Sequence, residues 1–230
     1  MRYLRLFTLI IIVFFAQAKE ITYENSYTLI AADSLSPAME YSFSAPKIRG
    51  LKQEELKIFS KPRQYAQNRY DYFVKVYSEM EEFYEEFGNT PILNFVYDEE
   101  GSLLYKDKEY LSLRYTMYMY EGGAHGNWHS THWIIDRKSK EIISFEDIFE
   151  LKHLSAIKKL NDIALQQTFP EEDINTLLFD MNYEVSKDIY ITDNGIIFQY
   201  DPYEIAAYVF GSIEVFISWD KLKPYLKITD

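Results

Sequence analysis

The sequence predicts an α+β fold of antiparallel sheets with helices packed on one face, arranged as two closely joined modules. Residues 189–200 read as two runs of β-branched and aromatic residues around Asp193-Asn194-Gly195, the strongest short hairpin signal. Met39, Tyr41 and Phe43 alternate with Glu40, Ser42 and Ser44, the period of a half-buried strand. Phe73, Val76, Tyr77, Met80, Phe83, Tyr84 and Phe87 recur instead at three and four residues, the period of an amphipathic helix. No repeat and no Pro/Gly-rich linker separates these patterns, so the two modules are expected to adjoin near residues 107 and 108.

The first residues read as an export signal. Arg2 and Arg5 precede an apolar run from Leu6 to Phe15, and Ala16-Gln17-Ala18 has the small-x-small form of a cleavage site. The run is shorter than the roughly 18 residues a membrane span needs. The chain from residue 19 onward is therefore expected to be periplasmic or secreted, without a membrane span. There is no cysteine, which excludes disulfides and a cysteine-linked lipid. The formal net charge of −12 would become −14 once Arg2 and Arg5 are removed. Such a balance disfavours nucleic acid and anionic membrane surfaces and favours a basic partner. With 21 tyrosines and 16 phenylalanines, some aromatic side chains are expected at the surface, where they mark protein or sugar contacts.

Taken in order, Ile21 to Ala31 reads as a strand, Asp33 to Pro37 as a turn, and Met39 to Ser44 as a second strand ended by Pro46 and Gly50. The long helix follows, with Pro62 in its first turn and Gly88-Asn89 after its end. Ile92 to Tyr97 and Ser102 to Lys106 flank Asp98-Glu99-Glu100-Gly101, which predicts a hairpin. Leu111 to Tyr120 and Trp133 to Asp136 read as strands, and Ile142-Ile143 follows a polar turn. Ser144 is placed to cap a short helix, with Asp147 positioned to return the bond. A helix from His153 to Phe169 is stopped by Pro170, a shorter one is expected within Glu171 to Phe179, and Ile213 to Ser218 is the last strand before a terminal helical turn.

The most distinctive stretch is Tyr115 to Asp136. Gly122, Gly123 and Gly126 fall within five positions, a structural loop that calls for positive φ or close backbone contacts. His125, His129 and His132 lie in the same stretch, and three imidazoles with an open position are the ligand set of a catalytic zinc. In an extended strand, however, His129 and His132 point to opposite faces. The favoured reading gives His125 a bracing role, its ring nitrogens bonding loop carbonyls. Trp128 and Trp133 are separated by an odd number, which predicts one buried and one exposed. The candidate contact residues are Tyr118, Tyr120, His125, Trp128, Trp133 and Tyr203. No Gly-x-Ser-x-Gly elbow and no cysteine nucleophile is present, and the acids at 98–100 and 171–173 fall in expected turns or helix starts. Catalytic residues and cofactors are therefore not assigned, zinc on the three histidines being the alternative.

On Tyr120-Glu121-Gly122-Gly123-Ala124-His125-Gly126, on Asp136 through Phe149, and on Pro202 through Gly211, the chain resembles the lysozyme-sensing ectodomain of a bacterial anti-sigma factor, roughly from Leu111 to Leu226. Pro46-Lys47-Ile48-Arg49-Gly50 and the helix after it are similar to the non-catalytic domain of a peptidoglycan deacetylase. The resemblance implies modules at 19–107 and 108–230 and a non-catalytic envelope role. It also implies a basic protein such as lysozyme, or cell-wall glycan, as partner. The alternative it leaves is a zinc-dependent cell-envelope hydrolase or deacetylase.

Overall fold

The computed structural model describes Arg5–Ile11, Glu20–Ile21, Glu24–Ile30, Met39–Ser44, Ile48–Arg49, six helical positions between 64 and 79, and residues 95–227. The fold is mixed α+β. These strands are β1 to β5 in that order, followed by β6 (Phe95–Lys106), β7 (Tyr110–Tyr120), β8 (Asn127–Asp136), β9 (Ile142–Ile143), β10 (Ile189–Thr192), β11 (Gly195–Tyr200) and β12 (Ile213–Ser218). Four helices lie among the later strands: α1 (Phe145–Ile148), α2 (Leu154–Thr168), α3 (Ile174–Leu177) and α4 (Trp219–Leu222). The chain divides into two compact units, one made of Met1–Ser102 and Tyr115–Trp128, the other of Leu103–Arg114 and His129–Asp230.

In the first unit β1 pairs antiparallel with β3, from Arg5↔Ile30 to Ile11↔Glu24, and β3 pairs antiparallel with β4. Arg5–Ile11, inside the stretch expected to be an export signal, is thus a strand here. The β4–β6 pair is parallel, from Met39↔Phe95 to Ser44↔Glu100. This pairing corrects the hairpin expected at 98–101, because Phe95–Lys106 is one continuous strand. The acids there alternate as strand residues do: Glu99 is 1% exposed, while Asp98 and Glu100 face outward. Ser42 donates to the Asp98 carboxylate, and the Tyr97 hydroxyl donates to Glu121. Gln64, Asn68, Asp71, Tyr72, Lys75 and Glu79 are helical and exposed, and Lys75 pairs with Glu79 one turn on at 3.5 Å. The apolar positions that predict that helix, 73 to 87, lie outside the described residues, as do the turn at 33–37 and the ends of the expected export signal.

In the second unit, β10, β11 and β12 form an antiparallel sheet in that order, and α2 packs on β12. Ile157, Asn161, Ala164 and Leu165 form the buried face of α2, at helical spacing. Ile157, Ala164 and Leu165 join Phe145, Phe149, Phe198, Val215, Ile217 and Leu222 in one core. The Phe149 ring lies 4.9 Å from Phe145 and 6.0 Å from Phe198, centroid to centroid. α1 begins with the reciprocal cap its sequence predicts: Asp147 N–H donates to Ser144 Oγ at 3.2 Å, and Ser144 N–H donates to Asp147 Oδ2 at 2.8 Å. The β6–β7 turn is held by Asp107, whose Oδ1 accepts from the N–H groups of Glu109 and Tyr110 at 2.7 and 2.6 Å.

The β10–β11 hairpin forms as expected, but its glycine acts differently from the expected turn residue. Thr192 pairs with Gly195, so Asp193 and Asn194 make the two-residue loop and Gly195 opens β11. A Cβ on Gly195 would lie 2.1 Å from the Ile217 carbonyl oxygen, so the glycine is required by the close approach of β12.

Candidate functional site

The open end of the β10–β11 hairpin carries the candidate site. Residues that bracket a hairpin meet at its open end by construction, and here both brackets are acidic: Asp188 precedes β10 and Asp201 follows β11. Each reaches a backbone N–H group of β8. Asp201 Oδ1 accepts from Ser130 N–H at 3.0 Å, and Oδ2 bonds His129 Nδ1. Asp188 Oδ1 accepts from His132 N–H at 2.8 Å, and Oδ2 bonds His132 Nδ1 at 2.9 Å. Two carboxylates thus replace the strand that β8 lacks at Ser130 and His132, since β9 pairs only with Ile134 and Ile135.

The segment before β10 is fixed from below. Tyr200 is fully buried, its hydroxyl accepts from Ser186 N–H at 3.2 Å and donates to Asn161 Oδ1 at 2.9 Å. The single Tyr183 O–H is shared between the same Asn161 oxygen at 3.0 Å and Asp162 Oδ1 at 2.8 Å. Lys158 bonds Asp162 at 2.6 Å and sits 3.7 Å above the Tyr183 ring. Burial, then neighbouring charge, pushes the Tyr183 phenol far above its ordinary range, and burial does the same for Tyr200. Both phenols therefore stay protonated and able to donate.

A concavity of about 530 Å³ opens here, lined by His129, Ser130, Thr131, Ser186, Lys187, Asp188, Asp201 and Glu204. Its size lies in the range of small-molecule sites, about 300–1,000 Å³. The residues that line it are all of polar or charged type, with three carboxylates against one ammonium. Glu204 Oε2 accepts from Asp201 N–H at 2.8 Å. Withdrawal of its carboxyl from solvent, with the charges of Asp201 and Asp188 beside it, raises the Glu204 pKa against the opposing effects of that bond and His129. His129 Nε2 lies 3.4 Å from Thr131 Oγ1, and the Lys187 ammonium pairs with Glu146 at 2.5 Å.

The structure separates the histidines expected as a possible zinc set. His129 bonds Asp201; His132, its side chain wholly buried, bonds Asp188 and stacks on Tyr190 at 4.8 Å; His125 Nδ1 donates to the Gly126 carbonyl at 2.9 Å. Among the described residues, no group of three or more His, Cys, Asp or Glu side chains is placed to hold a metal ion.

In the glycine loop Gly122 and Gly123 have φ of 88° and 94°. A Cβ on Gly126 would lie 2.3 Å from the Tyr118 hydroxyl, and the Tyr120 hydroxyl donates to the Gly123 carbonyl at 3.1 Å. Tyr118 and Tyr120 therefore spend part of their surface on shaping the loop. Trp128 and Trp133 are both half-buried, which corrects the expected split into one buried and one exposed. An indole is large enough for neighbours to cover its flank on either face of a strand. Tyr203 is 53% exposed and follows the site residue Asp201 by two positions. Asp188, Asp201, Glu204 and Lys187 escape sequence reasoning. The legible signal was acids bracketing a predicted hairpin, which topology brings to one end.

Residues 33–128 match the family model described as Deacetylase PdaC, and residues 146–220 match the one described as Protein of unknown function (DUF3298). Two solved DUF3298-family structures share the fold. One, from Bacteroides fragilis, is 18% identical over 99% of this chain and 95% of its own, with a TM-score of 0.70. The other, from Pseudomonas aeruginosa PAO1, is 13% identical over 98% and 95%, with a TM-score of 0.56. No curated protein matches the chain. Among the described residues, no helix is long and apolar enough to cross a membrane. The chain thus carries two adjoining family segments, a PdaC-like one followed by a DUF3298-like one, in the α+β fold of solved DUF3298 members.

Proposed function

We propose that the protein is an exported, non-catalytic binding protein of the cell envelope, released by cleavage near Ala18 to the periplasm or medium. The observation that carries this reading is the joining, in one chain, of a segment matching a deacetylase family model to a DUF3298 segment. The preferred partner is a basic protein such as lysozyme. The net charge of −12 and the predominance of carboxylates in the concavity support it through charge complementarity.

A second reading, peptidoglycan as the ligand, is favoured by the deacetylase match and by the hydroxyl, amine and carboxylate groups that line the concavity. Co-sedimentation of the full chain with purified peptidoglycan, run beside capture on immobilised lysozyme, tests both. Retention by at least one ligand is expected at low salt. Loss of the protein from both pellet and resin overturns the envelope-binding reading.

A further inference from the structure

One residue at the mouth of the site breaks a local rule. Asp201-Pro202-Tyr203-Glu204 closes a β-turn, with Glu204 N–H donating to the Asp201 carbonyl at 3.0 Å. Pro202 occupies the second position and Tyr203 the third, at φ 69°. That third position with positive φ belongs by preference to glycine or asparagine, and a bulky side chain there is strained. The ring gains little burial in return, being 53% exposed, and the Tyr208 ring lies 5.3 Å from it. Strain kept where packing does not repay it points to use of the exposed ring. The residues two before and one after it, Asp201 and Glu204, both line the concavity.

The lining narrows what would bind. Hydroxyls from Ser130, Thr131 and Ser186, the His129 imidazole, the Lys187 ammonium and the Glu204 carboxylate offer donors and acceptors together, set among the hydrocarbon parts of the same side chains. A ligand with hydroxyl groups and apolar C–H faces together, as a sugar has, fits such a mixed surface. Three carboxylates against one ammonium favour a ligand carrying positive charge. An exposed phenol ring at the rim suits the apolar C–H face of a sugar ring.

We propose that this concavity is a subsite for an amine-bearing saccharide, with Glu204 receiving the ammonium and Tyr203 stacking on a sugar ring. The proposal rests on the glycan reading of the envelope-binding function and gives it a place and a charge preference.

Calorimetric titration of the full chain with three probes tests it: triglucosamine, which has hydroxyls and amines; cellotriose, which has hydroxyls alone; and spermidine, which has amines alone. Triglucosamine is expected to bind about tenfold or more tighter than either control, and Tyr203→Gly to weaken it by about tenfold, the scale of one stacked ring. Tm should be unchanged or raised in Tyr203→Gly, because glycine relieves the turn. Glu204→Gln should weaken triglucosamine and leave cellotriose unaffected. Spermidine binding as tightly as triglucosamine, no triglucosamine binding, or binding indifferent to both variants would overturn the proposal. Retention of the protein on peptidoglycan or lysozyme without triglucosamine binding sinks this subsite alone and leaves the envelope-binding reading standing.

Discussion

Asp201 holds His129 and the backbone of its neighbour Ser130 with the two oxygens of one carboxylate. A strand edge and a ring are thereby tied to the end of a hairpin 71 residues further along. Asp201 is only 18% exposed at its side chain, whereas His129 is 49% exposed. The N–H bond therefore dominates the energetics, since a half-exposed ion pair contributes little. Asp201→Asn keeps one acceptor and presents an amide NH₂ donor to the other partner. It should lower stability by about 1–3 kcal/mol in urea or guanidinium unfolding, with the slope unchanged.

Tyr200→Phe probes the support beneath the site. The substitution keeps the ring in the core but removes the acceptor for Ser186 N–H and the donor to Asn161. Asn161 Oδ1 keeps its bond from Tyr183, but the buried Ser186 N–H loses its acceptor, and leaving it unsatisfied costs about 1–3 kcal/mol. Tyr183→Phe should cost less, because Tyr183 is only partly buried and Asn161 Oδ1 keeps its bond from Tyr200. Parallel denaturation curves of the two variants check the order.

The raised pKa of Glu204 gives a pH signature. A carboxyl whose folded pKa lies above its unfolded value binds protons more tightly when folded. Its contribution to stability is then full below the unfolded pKa, about 4.3, and is lost as pH rises through the folded value. The charge of Glu204 at neutral pH is consequently a cost set by burial, Asp201 and Asp188, partly offset by the Asp201 N–H bond and His129. Glu204→Gln should melt higher than the parent at pH 7, and the gap should close as pH falls to about 4. A gap that widens towards acid would reverse the assignment.

Gly195→Ala tests the close approach of β11 and β12. The added methyl would meet backbone atoms of Ile217 and Ser218 at 2.1 to 2.9 Å, and backbone cannot step aside as a flexible side chain can. Overpacking of this kind costs about 1–3 kcal/mol. At Gly126 the added methyl meets the Tyr118 ring instead. Tyr118 is 41% exposed and can swing outward, so thermal melts should rank Gly126→Ala as the milder change.

Much of the second unit was legible because its signals are local. The Ser144–Asp147 cap, the α2 period ended before Pro170 and the β10–β11 hairpin each depend on residues within a few positions of one another. The continuous β6 was not legible. Asp98-Glu99-Glu100-Gly101 carries turn composition, and what keeps it extended is parallel pairing with β4, 56 residues earlier. The histidines drew attention by clustering in sequence, yet each is committed to a different partner. The acids that bind two of them are 56 and 72 residues away and became visible only through topology.

The most direct measurement is a calorimetric titration of the full chain with lysozyme at low and at high salt. The account predicts binding at low salt that weakens steeply as salt rises, because an acidic surface meets a basic one and added ions screen it. Absence of both heat and affinity at low salt would contradict a basic-protein partner.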